Sequence, residues 1–299
     1  MALTHRGAAL VTGCSTGIGR AAAVALAGKG FQVYATARNV ASISALASGK
    51  IVTLALDVTD DASMVAAVTE IERQHGHVTV LVNNAGYAIQ GPVEETPLTD
   101  IRTIFETNVI GLTRLTQLVL PGMRAAGSGR VINVSSMAGR ITFPGGAFYH
   151  ATKHAVEAIS DAMRLELRPF GIRVVVVQPG PVRTSFADTA MDSLGGAAGP
   201  YQEFRAQLAG TYASAYAQKN AGVLSPERVA RVIAHAAATS RPRARYAVGF
   251  IARALMTLRR VTPDVVWDAF ARAQFPVPAS PAPATPAPVS PDAKPRRED

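Results

Sequence analysis

The chain has 299 residues, 48% of them hydrophobic and 17% charged, with a mean hydropathy of +0.17; this much apolar side chain fills a substantial core and excludes a disordered protein. A single cysteine, Cys14, excludes a disulfide scaffold, and no apolar run approaches the roughly 18 residues of a membrane span. The formal charge of +9 raises the question of a nucleic-acid partner.

The placement of that charge argues against one. Residues 241–263 hold Arg241, Arg243, Arg245, Arg253, Arg259 and Arg260 and no acid. They lack the aromatic interleaving of an RNA-binding sheet, so no nucleic acid is expected and an anionic ligand or lipid headgroup suits the patch better. The strand-like run Ala8-Ala9-Leu10-Val11 begins almost at once. No cleavable leader is expected before it, and the expected location is cytoplasmic.

Short runs rich in Val, Ile, Leu and Ala at 8–12, 31–37, 51–56, 78–83, 130–134, 173–178 and 245–248 read as strands. Stretches with helical periodicity, such as 17–29, 61–75, 99–126 and 150–170, lie between them. Runs such as Val174-Val175-Val176-Val177 suit strands buried on both faces. The alternation predicts an α/β protein of about seven parallel strands with helices on both faces.

The first strand ends in Thr12-Gly13-Cys14-Ser15-Thr16-Gly17-Ile18-Gly19, and a helix follows. Glycines there permit a tight turn and close backbone approach, so a pyrophosphate can rest against the helix N-terminus. A plain structural turn is the competing reading, but the strand-before and helix-after context favours a dinucleotide. Cys14 reads as a small buried residue of the turn. A carboxylate about 20 residues beyond the glycines would favour NAD. Nineteen residues after Gly19 stands Arg38 instead, and no acid occurs between Gly13 and Asp57. A guanidinium can fork onto a 2′-phosphate, with Ser15 as a second donor, so NADP(H) is expected over NAD(H).

Tyr149-His150-Ala151-Thr152-Lys153 puts a phenol and an ammonium four residues apart, on one face of a helix. A neighbouring ammonium favours phenolate, which makes a tyrosine usable as an acid/base near neutral pH. Ser136 ends the strand Val131-Ile132-Asn133-Val134, where a hydroxyl faces the ligand crevice of a parallel sheet. Asn83-Asn84-Ala85-Gly86 follows the fourth strand, and Asn108 lies within a helix that asparagine does not favour. Each segment alone also reads as a turn, a cap or a satisfied polar group.

Together, TGCSTGIG, NNAG, Asn108, Ser136 and YHATK resemble the short-chain dehydrogenase/reductase family over about residues 7–250. The resemblance implies a single Rossmann-type, doubly wound domain with Tyr149 as the general acid/base. It further implies that Lys153 lowers the tyrosine pKa and binds the nicotinamide ribose, that Ser136 polarises the substrate carbonyl, and that Asn108 holds a water extending the relay. Ser135 competes with Ser136, but the family's thirteen-residue separation favours Ser136. Carried over in the same way, Gly13, Ser15, Thr16, Gly17, Ile18, Gly19 and Arg38 hold the cofactor's phosphates. Asp57 and Val58 meet the adenine, and Asn84, Ala85 and Gly86 line the adenosine side. Pro179, Gly180, Val182 and Thr184 close over the nicotinamide. A homodimer or homotetramer through the helices bearing Asn108 and Tyr149 is implied as well.

Residues 184–223 should form a substrate lid. Phe186, Met191, Leu194, Tyr201, Phe204, Tyr212 and Tyr216 suit a lipophilic carbonyl or alcohol, or else simply pack on the sheet. With the PGPVRT and PRARYAVG segments, the chain is similar to the branch containing hydroxysteroid and retinol dehydrogenases. Residues 250–275 read as a helical extension. A basic amphipathic helix in weak contact with a membrane is one reading; packing beside the cleft through Trp267 and Phe270 is favoured. The tail 276–299 carries eight prolines in 24 residues and reads as extended and disordered. His150 and His154 are i, i+4, but no third ligand is evident and no metal is expected. A cofactor-sensing binding protein without turnover is the alternative function, disfavoured by the intact Asn-Ser-Tyr-Lys set.

Overall fold

The computed structural model describes residues 6–184, 186–195, 199–216, 222–275 and 277–278. The expected disordered tail lies outside the described residues apart from Val277 and Pro278, and so does the side chain of Tyr216.

Seven strands form one sheet: β1 (Ala8–Val11), β2 (Gln32–Ala37), β3 (Ile51–Ala55), β4 (Val78–Asn83), β5 (Gly129–Val134), β6 (Ile172–Pro179) and β7 (Arg245–Val248). Their order is β3-β2-β1-β4-β5-β6-β7, and every pairing is parallel. The period-two geometry of a strand sends Ala9 and Val11 into one helical layer and Ala8 and Leu10 into the other. On the first side lie α1 (Gly17–Ala27), through Ala22, Ala23 and Leu26, and α8 (Pro226–Ala238), through Val229 and Ile233. On the second lie α2 (Asp61–His75) and α4 (Leu112–Ala125), through Met64, Val68, Ile71, Leu115, Val119 and Met123. The helix α5 (Ala147–Glu166) joins that layer through Met163. Each large aliphatic side chain buried in these layers contributes roughly 1.5–3 kcal/mol.

The predicted helix over 99–126 is interrupted. It starts as α3 (Leu98–Phe105), widens into a π-type segment at Glu106–Gly111 and continues as α4. Asn108 sits in that segment, where a Cβ on Gly111 would lie 2.2 Å from the Val58 carbonyl oxygen. Close approach of the segment to the loop after β3 therefore demands glycine.

Residues beyond β6 form α6 (Phe186–Asp192) and α7 (Gln202–Tyr216). The two ends of this excursion are pinned together: Arg183 N donates to Leu224 O at 2.9 Å and Leu224 N to Pro181 O at 2.8 Å. Leu194, Phe204 and Leu208 pack on one another within the excursion. The extension forms α9 (Phe250–Val261) and α10 (Asp264–Gln274). Trp267 is buried and stacks on Phe143 at 5.8 Å, and Phe143 stacks on Phe275 at 4.2 Å. Arg259 lies over the Trp267 ring at 5.5 Å and pairs with Asp264 at 2.6 Å. The exposed residues of α9 mix Arg253, Thr257 and Arg260 with apolar side chains, among them Phe250, 82% exposed, and Val261, 73% exposed, at its two ends. Among the described residues no helix is long and apolar enough to cross a membrane.

Candidate active site

The sheet reverses its order between β1 and β4, and the crevice at the carboxyl ends of these strands is where open α/β sheets bind ligands. The turn after β1 is glycine-dependent by geometry. Gly13 and Gly17 take φ of +70° and +56°, a region costly for residues with a Cβ. A Cβ on Gly19 would lie 2.2 Å from the Gly13 carbonyl oxygen. Gly19 thus holds the turn from beneath and does not line the cleft, whereas Gly13, Ser15, Thr16, Gly17 and Ile18 do. Cys14 is buried and donates to Val11 O at 3.3 Å, and burial pushes its thiol up to about 12; it is no thiolate nucleophile.

A polar brace locks this turn to the loop after β4. Thr12 Oγ1 accepts from Asn84 N at 3.0 Å and Ala85 N at 2.9 Å, and Asn84 Nδ2 donates to Thr12 O at 2.9 Å and Gly13 O at 3.1 Å. Deeper, Asn83 Nδ2 bridges Thr116 Oγ1 at 3.0 Å and Asn133 Oδ1 at 2.9 Å, and Asn133 Nδ2 reaches Ser160 Oγ at 2.9 Å. These satisfied buried amides fix β4 and β5 against α4 and α5. On the far side of the cleft lie Arg38, Asp57 and Val58; Asp57 Oδ1 accepts from Thr59 N at 2.9 Å and Thr59 Oγ1 at 2.8 Å.

Ser136, Tyr149 and Lys153 meet at the inner end of the same cleft. Lys153 Nζ donates to Val134 O at 3.0 Å and lies 5.8 Å from the centre of the Tyr149 ring. Burial lowers the Lys153 ammonium from 10.5 to about 8, opposed by the charge of Glu157 one turn along α5. Ser136 Oγ accepts from Ala138 N at 3.1 Å. Ser135 Oγ, by contrast, is buried with no hydrogen-bond partner. Asn108 does not line this cleft. Its Oδ1 accepts from Tyr87 N at 3.1 Å, and its Nδ2 donates to Tyr87 O at 2.9 Å and Thr152 Oγ1 at 3.1 Å. A Cβ on Gly86 would stand 2.8 Å from Asn108 Oδ1 and 3.8 Å from Lys153 Nζ, so these three groups converge.

The cleft encloses about 730 Å³ and is also bordered by Asn84, Ala85, Gly86, Pro179, Val182 and Thr184. Gly180 borders a smaller chamber of about 110 Å³ instead, which joins the cleft at Ser136, Tyr149 and Phe186. An elongated cleft with a Cβ-free turn beneath a helix N-terminus, and a carboxylate and a guanidinium at its outer end, has the shape and donor set for a dinucleotide.

The model of the short chain dehydrogenase family matches residues 7–194. The chain belongs to the short-chain dehydrogenase/reductase family. It is 32% identical over 264 residues to a probable short-chain type dehydrogenase/reductase, VdlC, of Helicobacter pylori, covering 88% of this chain and 96% of that one. A short-chain dehydrogenase structure from Streptomyces avermitilis is 34% identical, with a TM-score of 0.75 and coverage of 91% and 99%. The closed form of a serine dehydrogenase complexed with NADP+ is 26% identical, with a TM-score of 0.71 and coverage of 82% and 95%. As a short-chain dehydrogenase/reductase, the protein is an NAD(P)-dependent oxidoreductase.

Some site residues escaped sequence reasoning. Thr12, which organises the brace, precedes the glycine motif and reads as the end of a strand. Glu157 is buried and gathers Gln178 Nε2 at 2.9 Å, Arg245 Nε at 2.9 Å and Arg140 at 3.1 Å. It stands four residues after Lys153, a spacing that was readable; its partners on β7 and the Ser136 turn were not. Among the described residues no group of three or more His, Cys, Asp or Glu side chains could hold a metal ion.

Proposed function

We propose that the protein is an NADP(H)-preferring dehydrogenase/reductase that interconverts a lipophilic carbonyl compound and its alcohol. The observation that carries this reading is the meeting of Tyr149, buried Lys153 and Ser136 where the long cleft opens into a mainly apolar chamber. A bound nicotinamide supplies or accepts the hydride. Ser136 and Tyr149 donate hydrogen bonds to the substrate oxygen and stabilise its developing negative charge. In reduction the Tyr149 hydroxyl gives that oxygen its proton; in oxidation the phenolate takes it. Lys153 in its ammonium form favours the phenolate, and the Asn108 segment, converging on Lys153, would hold a water that extends the proton relay.

Arg38 and Ser15 border the outer cleft, and Arg38 occupies the position where an acid would favour NAD. This supports recognition of a 2′-phosphate. Phe143, Phe186, Met137, Tyr212 and Phe275 border the chamber and support a lipophilic substrate. The excursion over 184–223 serves as its lid, and Phe275 at the end of the extension borders it as well. Exposed Ile110 and Leu165, on the helices that carry Asn108 and Tyr149, support assembly as a homodimer or homotetramer.

Tyr149→Phe tests the mechanism. Consumption of NADPH at 340 nm with a bulky apolar ketone should fall at least ~1,000-fold, with NADPH affinity within about threefold of the wild type. Surviving turnover would remove Tyr149 from the acid/base role.

A further inference from the structure

The chamber beyond Ser136 and Tyr149 is not uniformly apolar. Gln90 and His150 border it together with Met137, Phe143, Phe186 and Phe275. Gln90 is only 6% exposed, and its Oε1 has no hydrogen-bond partner. Its backbone is tied to the lid: Gln90 N donates to Ser193 Oγ at 2.7 Å, and the Ser193 hydroxyl donates to Ala190 O at 2.7 Å. The residue is therefore anchored at its backbone, and burial keeps the carboxamide off the surface. His150 is 5% exposed, and its ring packs edge-on against Phe143 and Tyr149. The two polar groups are close neighbours. Built from Gly146, a Cβ would meet His150 Cε1 at 2.3 Å, His150 Nδ1 at 2.5 Å and Gln90 Oε1 at 3.3 Å.

The hydrogen-bonding sense of this pole can be worked out. His150 Nδ1 contacts the Gly146 carbonyl oxygen, which can only accept, so Nδ1 carries the ring proton. Burial lowers the His150 pKa to about 4, so the ring is neutral near pH 7 and Nε2 is an acceptor. Gln90 adds a carboxamide, whose Oε1 accepts and whose Nε2 donates. A buried acceptor left unmatched is unfavourable unless a ligand supplies the donor. No Asp, Glu, Lys or Arg borders the chamber among the described residues. Nothing there would neutralise an ammonium, and nothing would pair with a carboxylate or phosphate. A neutral group that both donates and accepts fits this pole, and a hydroxyl is the smallest of that kind.

We propose that Gln90 and His150 form a polar subsite selecting lipophilic carbonyl compounds that also carry a hydroxyl group, and in the reverse direction the corresponding lipophilic diols. This rests on the carbonyl/alcohol reading given above and narrows its substrate class. Gln90 is the specificity-determining residue. The reaction at the carbonyl carbon is unchanged, and the second hydroxyl is bound without reacting.

The experiment compares three matched series of medium-chain methyl ketones with NADPH: unsubstituted, and with a hydroxyl or a methoxy group moved stepwise along the chain. A methoxy oxygen can accept but not donate. At one position the hydroxy ketone should exceed both the methoxy and the unsubstituted ketone in kcat/KM by roughly 10-fold or more, the scale on which a buried acceptor discriminates. In Gln90→Leu the hydroxy-to-unsubstituted ratio should fall to about one. The wild-type series tests the proposal by itself if that variant does not fold. Turnover of the plain ketones with no hydroxyl preference at any position would overturn the subsite, as would a preference unchanged in Gln90→Leu or a methoxy ketone as good as its hydroxy partner. No turnover of any carbonyl compound in either direction would instead overturn the reading on which the subsite rests.

Discussion

Replacing Lys153 by methionine, which keeps the length of the side chain and removes its charge, should separate stability from activity. In the folded protein burial holds the Lys153 pKa near 8, against 10.5 in the unfolded chain. Below pH 8 both states are protonated, and the folded state carries the whole cost of a buried ammonium. At ~1.4 kcal/mol for each tenfold change, that cost is about 3 kcal/mol. Between about pH 8 and 10.5 the unfolded state binds more protons than the folded one, so wild-type stability rises with pH and the cost fades. Methionine has no such dependence. Lys153→Met should therefore gain about 2–3 kcal/mol more over the wild type at pH 7 than at pH 10. The lost Lys153 Nζ to Val134 O bond affects both pH values alike and cancels in the difference. Urea unfolding of both proteins, followed by circular dichroism at the two pH values, measures the double difference. The same variant should lose turnover. A stability gap equal at pH 7 and pH 10 within about 0.5 kcal/mol would show that the ammonium carries no burial cost, and the electrostatic reasoning would fail.

Other expectations are as direct. Arg38→Asp should weaken NADPH by about 3 kcal/mol, roughly 100-fold, and NADH by less than about threefold, measured by titration of cofactor fluorescence. Equal losses for the two cofactors would remove Arg38 from 2′-phosphate recognition. Gly19→Ala should cost about 1–3 kcal/mol in thermal unfolding, because its Cβ meets the Gly13 carbonyl at 2.2 Å. It should also weaken NADPH by displacing Gly13; a variant as stable as the wild type would show that the turn yields easily. Exposed Phe250 and Val261 of α9 and Val265 of α10, together with exposed Arg253 and Arg260, should bind the full chain to vesicles of anionic phosphatidylglycerol but not of phosphatidylcholine. Sedimentation that persists at 0.5 M salt, or is unaffected by Phe250→Asp with Val261→Asp, would exclude this face.

Much of the architecture was legible in the sequence because parallel strands buried on both faces leave long apolar runs, as in Val174-Val175-Val176-Val177. The seven runs are the seven strands, and the glycine turn falls at the carboxyl end of β1 as its context required. The membrane-or-core choice for the extension was less clear-cut. Trp267 is buried in a core cluster, yet α9 also leaves Phe250 and Val261 exposed, and periodicity alone does not tell which apolar residues meet a neighbour. The interruption at Glu106–Gly111 was hidden for a similar reason. Asn108 and Gly111 are weak helix formers, but their effect depends on the Val58 loop pressing against them.

The sequence by itself determined what local chemistry and spacing determine: a parallel α/β sheet, a phosphate-sized glycine turn, a phenol and an ammonium on one helical face, and a guanidinium where an acid would favour NAD. Only the tertiary structure decided how distant segments meet. It put Gly19 beneath the turn and outside the cleft, set Asn108 under Gly86 beside Lys153, and turned Gly180 toward the smaller chamber. It also joined Gln90, 60 positions before His150, to the same polar pole. The reason is physical. Hydrogen-bonding sense and pKa depend on burial and on partners far apart in the chain, and those are fixed only when the sheet brings its carboxyl ends together.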